Sequence, residues 1–119
     1  MTENTILEEL NVIVDLLMKY GDLSRANWIV KSKEFYSEDR IQFWTRVNSL
    51  EWWGGAGSIA DVYLYNPNSA IVELEQKEDN RRYQAALIAI YEKMVENGQE
   101  NKRGAMWVDT FKKWQKQGI

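Results

Sequence analysis

The chain contains no cysteine and no histidine, and only one proline in 119 residues. Without cysteine there is no disulfide, no thiol nucleophile and no zinc–sulfur site. Without histidine the side chain most used for proton transfer near neutral pH is missing, and so is the commonest metal ligand. Ser-His-Asp and Cys-His devices are therefore excluded. Carboxylate, lysine or tyrosine chemistry stays formally open, but no motif supports it. The composition points to a protein that is not an enzyme and takes no cofactor. A surplus of basic residues is also lacking. Fifteen Lys and Arg against eighteen Asp and Glu give a net charge of −3, which argues against a dedicated nucleic-acid binder. The acidic balance suits a basic protein partner, and it suits solubility alone equally well. No apolar run reaches the roughly 18 residues of a membrane span. The opening Met1-Thr2-Glu3-Asn4-Thr5 has neither the basic nor the apolar region of a signal peptide. The expected address is cytoplasmic, with no membrane partner.

What is abundant is aromatic surface. Six Trp, six Tyr and three Phe share one small chain. Each can bury about 150–250 Å², and a core of this size will struggle to cover them all. Some are expected at the surface, where Trp and Tyr favour interfaces. The length fits a single domain over 1–119, long enough to fold without a disulfide or metal.

Periodicity predicts a mainly α, single-domain bundle of about five helices. In Thr5 to Tyr20, Ile6, Leu10, Ile13, Leu17 and Tyr20 form one stripe, and Gly21 comes next as a stop. Asp22 or Ser24 can cap a second helix to about Phe35, with Leu23, Ala26, Ile29 and Val30 inward and Trp28 partly exposed. Ser37 is placed to cap a third helix, whose apolar positions are Ile41, Trp44 and Val47, joined by Phe43 and Leu50. From about Gln76 to Asn97 a stripe of Tyr83, Ala86, Leu87, Ile90, Tyr91 and Met94 ends at Gly98. Gln99 to Gly104 reads as a polar link. Ala105 to Lys116 closes the chain as a helix with Trp107, Val108, Phe111 and Trp114 on one side. The stretch at about 62–74 has two readings. Val62-Tyr63-Leu64-Tyr65 and Ile71-Val72-Glu73-Leu74 around Asn66-Pro67-Asn68-Ser69 suggest a short hairpin. Ser58 with Asp61 three positions on instead matches a helix start.

The least average stretch is Glu51-Trp52-Trp53-Gly54-Gly55-Ala56-Gly57-Ser58-Ile59-Ala60-Asp61. Three glycines in four positions permit positive φ and close backbone approach. The stretch lacks the Lys and Ser/Thr of a P-loop and the spacing of GxGxxG, so a tight structural turn competes with anion binding and with a partner-contacting loop. Neighbouring side chains in a helix point about 100° apart, which predicts one of Trp52 and Trp53 in the core and the other at its rim. Glu73, Glu75, Glu78 and Asp79 form an acidic cluster. It reads either as a landing surface for a basic partner or as a solvated helix start favoured by the dipole. The EF-hand spacing is absent, so no metal site is assigned. Lys112, Lys113 and Lys116 around Trp114 could grip a single strand of nucleic acid, but a helix C-terminus explains the lysines more simply.

The block Gly54 to Asp61 with Val62-Tyr63-Leu64 after it resembles a motif of a small bacterial family. Its members usually read Gly-Gly-Met-Gly-Ser-(Leu/Phe)-Asn-Asp, then a short apolar run, a turn and a helix. Here Ala56 stands in the place of the Met and Ala60 in that of the Asn. The likeness covers about residues 40 to 95. Proteins of this kind resemble immunity proteins of polymorphic and contact-dependent toxin systems. The resemblance implies a small cytosolic antidote that binds and silences a toxin domain. Toxin domains that attack nucleic acid are often basic, so an acidic antidote would be steered to them. The expected contact residues are Trp52, Trp53, Asp61, Tyr63, Tyr65, Glu73, Glu75, Glu78 and Asp79. The rival reading is an adaptor or subunit of a bacterial assembly that binds through a Trp-rich surface.

Overall fold

The computed structural model describes residues 2–65 and 71–118. Among these residues there are five helices of eight residues or more and no strand. α1 (Thr2–Lys19) ends in a turn at Gly21, and α2 (Leu23–Glu38) runs back along it. Asp22 caps α2, its side chain accepting the Arg25 N–H. α3 (Arg40–Val47) folds back on α2 after a single residue, Asp39. A one-turn helix, α4 (Leu50–Trp53), leads into the glycine turn and a 3-10 turn at Ile59–Asp61. α5 (Glu73–Glu96) is the longest element, and α6 (Lys102–Gln117) packs against it.

α1 is the central helix. It packs on α2 along one side and on α5 along the other. Ile6, Leu10, Ile13, Leu17 and their neighbours Val14 and Leu16 are all buried. They meet Tyr83, Ala86, Leu87, Ile90 and Met94 of α5 in one continuous core. At about 25 cal/mol per Å², burial of this kind is the main stabilising term. α2 joins α3 through a buried polar contact. Ser32 Oγ donates to Trp28 O at 2.9 Å and accepts from Arg46 Nε at 2.7 Å, while the Arg46 guanidinium lies 4.2 Å from the Trp28 ring centroid. The cation therefore has both hydrogen bonds and a π face.

Several boundaries differ from those the residues suggested. α2 runs on through Ser37, and the cap of α3 is Asp39. Asp39 serves both helices: its N–H donates to Phe35 O at 2.8 Å, and its carboxylate accepts the Gln42 N–H at 3.1 Å. Ile41 is 82% exposed, since it lies off the Phe43–Trp44–Val47 stripe. Leu23, Val30 and Leu50 are also outside. Residues 62–65 and 71–72 form no hairpin, and α5 begins at Glu73. The expected turn Asn66-Pro67-Asn68-Ser69 lies outside the described residues. α6 starts three residues earlier than the pattern implied, because Asn101 caps it by accepting the Gly104 N–H at 2.8 Å. Gly104 is a close-approach residue in that helix. A Cβ there would stand 3.0 Å from the Tyr91 ring and 3.2 Å from Trp53.

Trp52 and Trp53 are both fully buried, at 0% exposure. This corrects the expectation of one core and one rim residue, and it removes both from any contact surface. The two rings lie 5.9 Å apart, and α4 sits against α3, the 3-10 turn and α6, so protein encloses both. Trp53 is tied at several points. Its Nε1 donates to Val47 O at 2.9 Å, its ring meets Tyr91 edge-on at 5.9 Å, and its carbonyl accepts Trp107 Nε1 at 3.2 Å. Trp52 Nε1 is buried without a partner among the described residues. Replacing either by Phe deletes similar volume, but only at Trp53 does the loss strand a carbonyl, that of Val47. We therefore expect Trp53→Phe to cost about 1 kcal/mol more than Trp52→Phe, as measured by urea unfolding. Equal losses would show that the Val47 bond contributes nothing.

Candidate functional site

Residues 54–65 carry little regular structure, so their backbone groups must find partners elsewhere. Gly55 and Gly57 have φ of +126° and +86°, conformations that side-chain-bearing residues rarely adopt. Within the turn, Ser58 Oγ accepts the Gly55 N–H at 3.3 Å and Asp61 accepts the Gly57 N–H at 3.1 Å. Arg25 donates to Gly57 O from Nε and Nη2. α5 secures the residues beyond the glycines. Tyr83 OH donates to Ile59 O at 2.8 Å in the interior.

Asn80 completes the attachment. Its Oδ1 accepts the Leu64 N–H at 2.8 Å, and its Nδ2 donates to Leu64 O at 3.0 Å and to Gln76 O at 3.0 Å. One buried carboxamide thus pairs both main-chain groups of Leu64, as a neighbouring strand would. N–H and C=O of one residue point the same way only in an extended chain, so neighbouring side chains alternate. Leu64 is buried, whereas Tyr63 and Tyr65 are 65% and 62% exposed. The extended conformation that a strand at 62–65 implied is present. What pairs with it is a side chain of α5.

Tyr63 lines a groove of about 860 Å³ with Glu73, Leu74, Lys77, Gln84 and Trp114. Leu74 and Val72 are largely exposed, and Trp114 is partly so. These apolar residues were not among the expected contacts. A sequence signal for Leu74 exists: it stands nine positions before Tyr83, about 180° around the helix from the buried stripe. Trp114 was expected on the inner side of α6 and instead sits at its edge.

The acidic cluster does not act as one patch. Glu73 and Glu75 occupy the first turn of α5, where the dipole favours them. Glu75 is bonded by Lys19 Nζ. Asp79 is buried, at 3% exposure, so it is not available to a partner. It accepts Lys19 Nζ at 2.6 Å and Tyr20 OH at 2.9 Å, with Arg82 Nη1 at 3.4 Å. This junction fixes the end of α1 on the start of α5. Burial pushes the Asp79 carboxyl up, but the bonds from Lys19 and Tyr20 pull it further down, leaving it below its ordinary value. Burial and the bond to Asp79 push the Tyr20 hydroxyl up to about 12. Glu73 and Glu78 form no ion pair among the described residues, and Asp61 is exposed. Of the expected contacts, Asp61, Tyr63, Tyr65, Glu73, Glu75 and Glu78 are accessible, while Trp52, Trp53 and Asp79 are interior.

Among the described residues, no three acidic side chains are placed to hold a metal ion, and no helix is long and apolar enough to cross a membrane. Compared with protein-family models, with curated proteins and with solved structures, the chain matches none of them.

Two stability measurements check these contacts. Asp79 is depressed in the folded state, so its contribution is present above the unfolded carboxylate pKa of about 4 and is lost as pH falls through the folded value. Asp79→Asn should be less stable than wild type by about 1–3 kcal/mol at pH 7, a range kept modest because Lys19 is partly exposed. That difference should shrink below about pH 4 in urea titrations, whereas a constant difference would contradict the ion-pair account. Asn80→Ala leaves the Leu64 N–H buried and unpaired, and should cost about 2–4 kcal/mol. Amide exchange at Leu64 should accelerate with it, and unchanged protection would mean the clamp holds nothing.

Proposed function

We propose that the protein is a non-catalytic binding module, and specifically a cytoplasmic immunity protein that occludes the working face of a toxin domain. One observation carries the reading. Tyr63 and Tyr65 are displayed to solvent from a main chain that Asn80 holds rigid. Large amphipathic rings on a fixed support lose little entropy on contact, and such residues dominate binding energy at interfaces. Leu74 extends the apolar surface beside Tyr63, and Trp114 closes the groove. Contiguous exposed apolar surface of this kind marks interaction sites.

Charge supports a basic partner modestly. Glu73 lines the groove with Lys77 as its cation, and Asp61 and Glu78 are exposed elsewhere on the surface. The chain as a whole carries −3, which speeds encounter with a cationic domain. The resemblance of the Gly54–Asp61 block to the immunity-type family agrees with a role in which no group reacts. The adaptor reading rested on a Trp-rich surface, and the full burial of Trp52 and Trp53 removes its two strongest residues.

The test is co-expression with the product of the gene encoded beside it. Growth rescue and a stable complex between purified chains are expected. The double variant Tyr63→Ala with Tyr65→Ala should weaken that complex at least 100-fold, or about 2.7 kcal/mol, with its thermal midpoint within a few degrees of wild type. If neighbouring gene products neither bind nor are neutralised, the immunity reading fails.

A further inference from the structure

The glycine turn takes no part in the tyrosine face, yet it forms one wall of a second cleft. This cleft holds about 590 Å³ between Gly54–Gly55 and α6. Its lining is largely apolar, with Trp53, Met106 and Trp107 beside Thr110, and Arg103 is the one charged residue. Met106 is 70% exposed. Bare glycine backbone leaves the opposite wall without side chains. Arg103 Nη1 donates to Gly54 O at 2.6 Å and holds that wall in place. The volume lies within the range of sites that seat a ligand or a bulky side chain.

α6, which lines the cleft through Arg103, Met106, Trp107 and Thr110, carries charge opposite to that of the whole chain. α6 carries Lys102, Arg103, Lys112, Lys113 and Lys116 against Asp109, a net of +4. The full chain carries −3, so the remainder carries −7. Lys112 pairs with Glu92 and Lys113 with Asp109. Lys102 and Arg103 pair with no carboxylate among the described residues, and they stand in the first turn of α6. A helix dipole disfavours cations there, so the dipole accounts for the lysines near the C-terminus but not for these two. Glu100, just upstream, is exposed and lines no part of the cleft.

We infer that this cleft docks an acidic segment of a partner protein. One bulky apolar side chain sits against Met106 and Trp107, with buried Trp53 behind them, and flanking carboxylates face Lys102 and Arg103. A single strand of nucleic acid fits less well. The Trp107 ring is stacked on Phe111 at 5.8 Å, and its Nε1 is engaged by Trp53 O, so the ring is not free to sandwich a base.

The experiment uses the full chain and a fluorescein-labelled peptide with one phenylalanine between two runs of aspartate and glutamate, read by anisotropy. Saturable binding is expected. It should weaken at least tenfold when the peptide's phenylalanine becomes alanine, when salt rises from about 50 to about 300 mM, and in Arg103→Glu or Met106→Glu. Tyr63→Ala should leave it unchanged. Met106 is 70% exposed, so Met106→Glu decides the matter if Arg103→Glu disturbs the glycine turn. The proposal is overturned if a lysine-for-acid peptide binds equally well, or if oligothymidylate binds more tightly than the acidic peptide. No binding up to about 1 mM, or a loss caused by Tyr63→Ala, would overturn it too.

Discussion

The segment after the glycine turn cannot satisfy all its main-chain groups by itself, and here one turn of α5 supplies the missing partners. Asp79, Asn80 and Tyr83 lie three and four residues apart, on one side of that helix. Asp79 holds the end of α1 through Lys19 and Tyr20. Asn80 pairs both main-chain groups of Leu64, and Tyr83 reaches Ile59 O. These are buried or partly buried groups, so leaving any of them unpaired would cost more than the bond itself contributes. The position of the exposed tyrosines therefore rests on interior polar contacts that touch no partner.

Much of the helical plan was legible because apolar residues recur with the period of a helix. Ile6, Leu10, Ile13 and Leu17 fall inward as their spacing implies, and so do Tyr83, Leu87 and Ile90. Gly21 and Gly98 stop helices with positive φ. What was not legible depends on partners distant in sequence. The run at 62–65 has the alternation of a strand, and a second strand was the natural partner to expect. Nothing local reveals that the partner is a carboxamide sixteen residues away. The end of α2 was misplaced for a different reason. Ser37 and Asp39 are both good caps, and only the shared use of Asp39 by two helices separates them.

The site was legible in part. Tyr63 and Tyr65 project outward, as alternation around Leu64 requires. The Trp pair was misjudged because divergence between neighbours was taken to place one of them at the surface. The one-turn helix is enclosed by three elements, and both indoles are covered. Asp79 reads in the sequence as one more accessible acid, in a landing surface or a solvated helix start. Its burial comes from Lys19 and Tyr20 at the end of α1, a pairing that charge counts along α5 do not disclose. Leu74 falls in the stretch with two readings, and only once α5 begins at Glu73 does its phase place it outside.

The adjacent indoles also give the molecule an optical property. The Trp52 and Trp53 rings lie 5.9 Å apart with planes inclined by 33°. Chromophores this close and this fixed couple their electronic transitions, and the coupling depends on their mutual angle. The near-ultraviolet circular dichroism of this pair thus senses side-chain order at the junction of α4 with the bundle, and it fades when packing loosens while helices persist. The chain carries a native spectroscopic gauge at the point where its least regular segment enters its interior.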